Sequence, residues 1–162
     1  MSKLEISKVE ISRESIYQAC DDILGMRLWV EKNLQVATGD FCLWLPIILT
    51  IKGPLYGEVI GPDAKSSCGY RQPVDLSDRQ RQPLYKLGFN VLNHLQALPA
   101  VYLMQFGLIA EKEIRFDRLF PFPAAPAVAS LGVQEPNLFT CHWYCLTGKP
   151  IRDLLILEKN LK

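Results

Sequence analysis

Apolar and polar positions alternate most clearly between Val101 and Pro123. Val101, Leu103 and Gln105 fall on one face of an extended chain and Tyr102, Met104 and Phe106 on the other; Ile114, Phe116 and Leu119 follow a tight charged turn. Apolar residues on both faces predict a central pair of strands, ended by Pro121, Phe122 and Pro123. Upstream, residues 1 to 13 alternate loosely, as a short strand or a tail. From Glu14, the residues Ile16, Tyr17, Cys20, Ile23 and Leu24 have helical spacing, with Gly25 as the stop. Arg27 to Val36 reads as a strand in which Leu28 and Val30 oppose Trp29 and Glu31, and Thr38, Gly39 and Asp40 make the next turn. Phe41 to Lys52 is too continuously apolar for a surface strand and is expected inside the sheet. Pro46, which has no N–H, marks a bulge or an edge there.

Gly53 to Gly57 predicts a turn and Glu58 to Ile60 an antiparallel return stopped by Gly61 and Pro62, after which Asp63 to Gln72 crosses the surface. Ser77 caps a long helix whose apolar stripe is Leu84, Leu87, Gly88, Val91, Leu95 and Leu98. Pro83 predicts that its regular part starts near Arg81. After the hairpin, Pro123 to Pro126 is expected to be extended, Pro136 to open a helix running to about Leu146, and Gly148 to lie just past its end. Ile151 to Leu157 is a last apolar segment. The order predicts an α+β fold with a mainly antiparallel sheet and helices packed on one face. Residues 1–26 form an N-terminal segment with a short helix, and residues 27–162 a single domain.

Charge and cysteine content narrow the function classes. With 18 basic and 17 acidic residues the net charge is +1, so no field favours nucleic acid or an anionic membrane surface. No stretch approaches the roughly 18 apolar residues that cross a bilayer. Met1 to Glu10 lacks the apolar middle of a signal peptide, which predicts a cytoplasmic protein. Five cysteines, an odd number, predict reduced thiols. Cys141 and Cys145 lie one helical turn apart, but His142 faces elsewhere, so these three do not complete a tetrahedral zinc site and the two thiols are expected in the core. His94 and His142 read as helix-surface or packing residues. No nucleophile elbow, GxGxxG or P-loop is present, so no catalytic residue and no bound metal are assigned.

Several pieces stand in a familiar order: Val30-Glu31-Lys32, Ile47 to Gly57, the helix Ser77 to Leu98, Leu103 to Phe106, Phe116-Asp117-Arg118-Leu119-Phe120-Pro121-Phe122-Pro123, Asn137 to His142, and Gly148-Lys149-Pro150-Ile151. Together they resemble the C-terminal lobe of the ATP-grasp ligases, most of all that of the N5-carboxyaminoimidazole ribonucleotide synthases, over about residues 27 to 152. The resemblance implies an ATP-grasp-like half-domain in which each strand of the last hairpin would supply a carboxylate to the magnesium ions on ATP, since a hard cation needs anionic oxygens at short range. Here Gln105 stands at the first of these positions and Arg118 at the second, and Phe122 replaces an arginine of the following turn. Asp117 is the one carboxylate left nearby, and Glu31 and Lys52 are the other candidates to face a nucleotide.

These replacements imply a binding or assembly module that has lost ligase chemistry and needs no cofactor; ATP and Mg2+ would bind only if the degenerate site still holds them. The lobe carrying the family's glycine-rich lid has no counterpart, which also fits a subunit of a carboxylate–amine ligase completed by a second chain. The strand order alone is compatible with an unrelated α+β protein. Expected partners are a second copy of the chain or a protein supplying the missing lobe, with neither nucleic acid nor membrane.

Overall fold

A computed structural model describes residues 13–110 and 113–157, so the expectation for the first dozen residues lies outside the described part. In chain order, residues 13–21 form helix α1, followed by α2 (Ile23–Leu34), β1 (Leu43–Thr50), β2 (Gly53–Tyr56), β3 (Val59–Pro62), β4 (Tyr70–Val74), α3 (Asp78–His94), β5 (Ala100–Ile109) and β6 (Glu113–Phe120). A 3-10 turn (Ala125–Ser130), β7 (Gln134–Glu135), α4 (Leu138–Thr147) and β8 (Leu155–Ile156) complete the chain.

The main sheet runs β4-β3-β1-β5-β6, antiparallel at every pairing, with β2 filling the rest of the β1 edge. β5 is therefore central, as its two apolar faces predict. β6 is not, because among the described residues its outer side pairs only with a short crossing segment: Phe116 N–H donates to Ala37 O at 3.0 Å and Gly39 N–H to Phe116 O at 3.1 Å. Alternation along β5 and β1 divides the core into two layers. Tyr102, Met104, Phe106, Leu45 and Ile47 pack with Ile16, Met26, Val30, Leu84 and Val91 of the first three helices. Val101, Leu103, Trp44 and Ile48 pack with Leu138, Cys141 and Cys145 of α4. The α+β class and the antiparallel sheet are as expected. The expected one-sided helix layer holds for α1 to α3, and α4 covers the opposite face.

The segment read as a strand from Arg27 to Val36 is helical. Gly25 does not stop a helix; it lies in the first turn of α2, where Asp22 Oδ1 accepts its N–H at 3.0 Å. A Cβ on Gly25 would lie 2.1 Å from the Asp22 carboxylate, so only glycine lets this cap close. Met26 and Val30 then bury one face, one turn apart.

Pro46 sits inside β1 opposite Leu103, and neither an edge nor a bulge is needed to hold it. Its carbonyl accepts the Gly57 N–H at 2.8 Å. The N–H and C=O of one antiparallel residue point to the same side, so the missing donor faces the junction where β2 gives way to β3. The expected turn at Gly53 to Gly57 is strand β2, and the reversal lies at Ile51 and Lys52. Gly61 and Pro62 belong to β3, and the polar crossing ends in β4, which pairs back onto it.

Ser77 caps α3 in a reciprocal box, donating its main-chain N–H to Gln80 Oε1 at 2.9 Å and accepting the Gln80 N–H at 3.3 Å. That box carries the helix back to Asp78, so Pro83 lies within it rather than at a looser lead-in. Pro136 stands before the cap of α4, not inside its first turn; Asn137 Oδ1 accepts the Thr140 N–H at 3.0 Å, and Gly148, at φ 73°, closes the helix as predicted.

His142 of α4 fixes the start of the central strand, because its Nδ1 accepts the Val101 N–H at 3.1 Å. An accepting nitrogen must be unprotonated. Burial, reinforced by the Arg13 charge, pushes the pKa below the ordinary 6.5. The unfolded chain therefore takes up a proton that the folded one resists, and stability present above 6.5 is lost as pH falls through 6.5 and the lower folded-state value. The expected outcome is a thermal midpoint that drops between about pH 7.5 and pH 5.5, with a smaller drop in His142→Asn, whose Oδ1 keeps the acceptor without titrating. An unchanged slope in the variant would show that His142 does not couple to folding.

Candidate functional site

The candidate site lies where β5 and β6 lose register. Gln105 pairs with Arg118 and Phe106 with Phe116, so Asp117 is the extra residue of a β-bulge. Bulges re-aim side chains, and this one presents a carboxylate to two other parts of the chain. Asp117 is 4% exposed. Its Oδ1 accepts Arg27 Nη2 at 2.8 Å, its Oδ2 accepts the Phe41 main-chain N–H at 2.7 Å, and its own carbonyl accepts Arg27 Nε at 2.9 Å. Arg27 also reaches the exposed Asp40 at 2.9 Å. Burial works against the Arg27 charge, but the bonds to Asp40 and Asp117 outweigh it and hold its pKa above the ordinary guanidinium value.

Gln105 completes the grip, since its Nε2 donates to Phe41 O in a very short contact. Both main-chain groups of Phe41 are thus held by side chains of the hairpin. The reason for this close approach is Gly107 on β5: a Cβ there would lie 2.1 Å from Phe41 Cδ1. The chain from Thr38, beside β6, to Leu43, paired with Phe106, must cross the hairpin. It does so with Phe41 lying over Gly107.

The structure brings Gln105, Arg118 and Asp117 together. Arg118 lays its guanidinium 4.3 Å from the centre of the Phe120 ring, and its buried Nε has no hydrogen-bond partner among the described residues. Phe122 is half exposed and packs edge-on against Tyr17 and Phe120, with ring centres 6.5 and 6.2 Å apart. Glu31 is on helix α2, exposed, and accepts the Thr38 hydroxyl in a short bond near the outer edge of β6. Lys52 is exposed in the β1–β2 turn, at the far end of β1 from Phe41. Cys141 and Cys145 are core residues, their thiols pushed by burial up to about 12 and about 11. His94 stacks on Trp29 with ring centres 3.7 Å apart. Among the described residues no group of three or more His, Cys, Asp or Glu is placed to hold a metal ion.

Sequence reasoning missed Arg27 and Phe41. A glycine inside a central strand, as at Gly107, was the available sign that something approaches closely. An acid between Phe116 and Leu119 was the sign that a buried cation was needed.

No protein-family model matches the sequence, and no curated protein matches it. Solved structures do match in three dimensions. The glycinamide-RNase-transformylase T of Mycobacterium tuberculosis superposes with a TM-score of 0.68 at 16% identity over 81% of this chain and 49% of its own. The N5-carboxyaminoimidazole ribonucleotide synthetase of Thermotoga maritima gives 0.59 at 15% identity over 78% and 37%. The N5-carboxyaminoimidazole synthase of Aspergillus clavatus, solved with ADP and 5-aminoimidazole ribonucleotide, gives 0.59 at 14% over 72% and 31%. The fold is ATP-grasp-like. The chain spans half or less of the length of each of these ATP-grasp structures, so the likeness concerns one lobe and its architecture. Among the described residues of this lobe, no helix is long and apolar enough to cross a membrane.

Two substitutions test the clamp. In Asp117→Asn, either orientation of the amide sets an N–H against the Arg27 or the Phe41 donor; the expected loss is about 3 kcal/mol by chemical denaturation. Gly107→Ala must displace the Phe41 ring from its hydrogen-bonded position, and a loss of roughly 2 kcal/mol is expected by the same measurement. Near-neutral values for both would mean that the crossing segment is not held as described.

Proposed function

We propose that this chain is a non-catalytic ATP-grasp-like module, cytoplasmic, in which residues 27–162 form the lobe and which acts in binding or assembly. The observation that carries the reading is the fate of the hairpin positions where the family resemblance expects metal-binding carboxylates. Gln105 is neutral and spends its amide on Phe41 O; Arg118 is cationic and lies directly across from it. The adjacent carboxylate, Asp117, has both oxygens engaged by Arg27 and Phe41. A magnesium ion needs several oxygen ligands, commonly one or two of them carboxylates, and a guanidinium in its coordination sphere repels it. The residues present do not fit the ATP-bound magnesium pair.

Exposed apolar side chains support the binding half of the reading. Leu24 and Leu28, one turn apart on α2, are 72% and 66% exposed, and Phe139, Trp143 and Leu146 line the outer side of α4. Apolar surface of this kind marks interaction sites. A second reading, a ligase subunit completed by another chain, is favoured by one observation: the chain matches only 49% or less of its ATP-grasp neighbours. Either a second copy or a separate protein would meet the exposed faces.

Thermal melts with and without ATP and magnesium distinguish these readings. A ligand that binds only the native state raises the midpoint in proportion to its affinity. We expect no rise with ATP–magnesium up to millimolar concentration, and a rise of several degrees would overturn the non-catalytic reading. Under the second reading, the rise appears only when the completing chain is present.

A further inference from the structure

A cleft lies away from the hairpin, between the β3–β4 connection and residues 128–133. Its volume is about 660 Å³, ample for a small peptide or metabolite. One wall carries Lys65, Cys68 and Arg71; the other is apolar, with Val128 and Leu131. The β3–β4 connection is a closed turn, in which Asp63 N–H donates to Gly69 O at 2.9 Å and Gly69 N–H to Ser66 O at 3.2 Å. It holds Cys68 exposed, with Sγ 3.2 Å from Ser66 Oγ. Because the Cys68 main-chain N–H donates to Ser66 Oγ at 3.3 Å, the serine hydroxyl proton is free to point at the sulfur. That hydrogen bond lowers the thiol pKa below the ordinary 9.0, against the opposing charge of Asp63.

Three further observations give the cleft a preferred ligand. Lys65 and Arg71 form no ion pair with the described residues, so the lining offers two uncommitted cations. Asp63, the acidic group there, has its Oδ1 taken by the Lys65 main-chain N–H at 3.0 Å. Gln72, 6% exposed, also lines the cleft. Its Nε2 donates to Glu58 O at 2.9 Å and to Gln134 Oε1 at 3.1 Å, which fixes the amide's orientation, and its Oε1 is a buried acceptor without a hydrogen-bond partner among the described residues. Orphaned buried acceptors are rare, and this one calls for an N–H or O–H donor from a bound molecule. A ligand with carboxylates for the cations and an amide N–H for Gln72 satisfies all three.

We propose that Cys68 is a thiol–disulfide exchange site, and that its cleft selects the disulfide of a small anionic peptide thiol. The Cys68 thiol gives its proton to solvent and the thiolate attacks one sulfur of the incoming disulfide. A Cys68–sulfur bond forms as the reagent's own sulfur–sulfur bond breaks, and the second sulfur departs as a thiolate that takes up a proton. Cys68 is oxidised, the departing thiol is reduced, and no other oxidant is required. The charged wall sets selectivity for the anionic reagent, and the hydrogen bond from Ser66 sets the reactivity of the sulfur.

Cys42, also exposed but outside the cleft, is an internal control in the same molecule. The intact chain is treated with oxidised glutathione or with the neutral bis(2-hydroxyethyl) disulfide, and the mixed disulfides are located by peptide mass mapping over time. The expected result is modification of Cys68 about ten-fold faster than Cys42 with glutathione disulfide. In a Lys65→Ala, Arg71→Ala double variant the Cys68 rate falls about three- to ten-fold with glutathione disulfide. It stays unchanged with the neutral reagent, as does the rate at Cys42 with either. Equal rates at the two cysteines would overturn the proposal, as would a double variant that keeps the wild-type preference for the anionic reagent.

Discussion

Asp117 carries a negative charge into a site where its side chain is 5% exposed, and a carboxylate so placed is tolerated only when both oxygens find donors. The donors come from 90 and 76 residues away, Arg27 on α2 and the Phe41 main chain. One buried charge therefore joins a helix, a crossing segment and the last hairpin of the sheet. Its net contribution to stability is small, since desolvating two ions costs about as much as their attraction returns, but removing either partner is costly. That asymmetry makes the carboxylate a device for fixing one arrangement of the crossing segment. Gln105 on one side and the bare backbone of Gly107 below then determine where Phe41 can lie.

Most of the fold was legible because most of it is written in period. The hairpin, the long helix, the last helix and the antiparallel sheet follow from alternation, from the Ser77 cap and from Gly148. The largest error, a strand read from Arg27 to Val36, arose because Gly25 looked like a helix stop. Its spacing toward Met26 and Val30 was helical all along, but the decisive fact, Asp22 closing a cap against a residue without a Cβ, is a contact between neighbours that periodicity does not carry. The position of β6 was misread for a related reason. Its buried face is apolar, as a central strand's would be, yet the cover on its outer side is a few residues of irregular chain.

The site was legible in part. Gln105 and Arg118 were read as standing at corresponding positions on the two strands of the hairpin, and the register pairs them. What their side chains do with their polar atoms depends on Arg27 and Phe41, distant in sequence and recruited by the bulge at Asp117. The ATP-grasp-like architecture rests on two apolar layers, Tyr102 and Met104 on one side and Val101 and Leu103 on the other, that do not involve the polar end of the hairpin. The packing of the sheet therefore places no demand on which polar residues stand at its rim.

The margins of that sheet bear on how copies of the chain can meet. An outermost strand is ordinarily a template on which another chain can continue the ladder. At β6 the midpoint of that template is already occupied by the residues around Thr38, and at β4 it is interrupted by Pro73, which has no hydrogen to offer an added strand. Growth by backbone pairing is thus discouraged at these two strands, and a partner meeting the sheet there would have to engage side chains rather than extend the ladder.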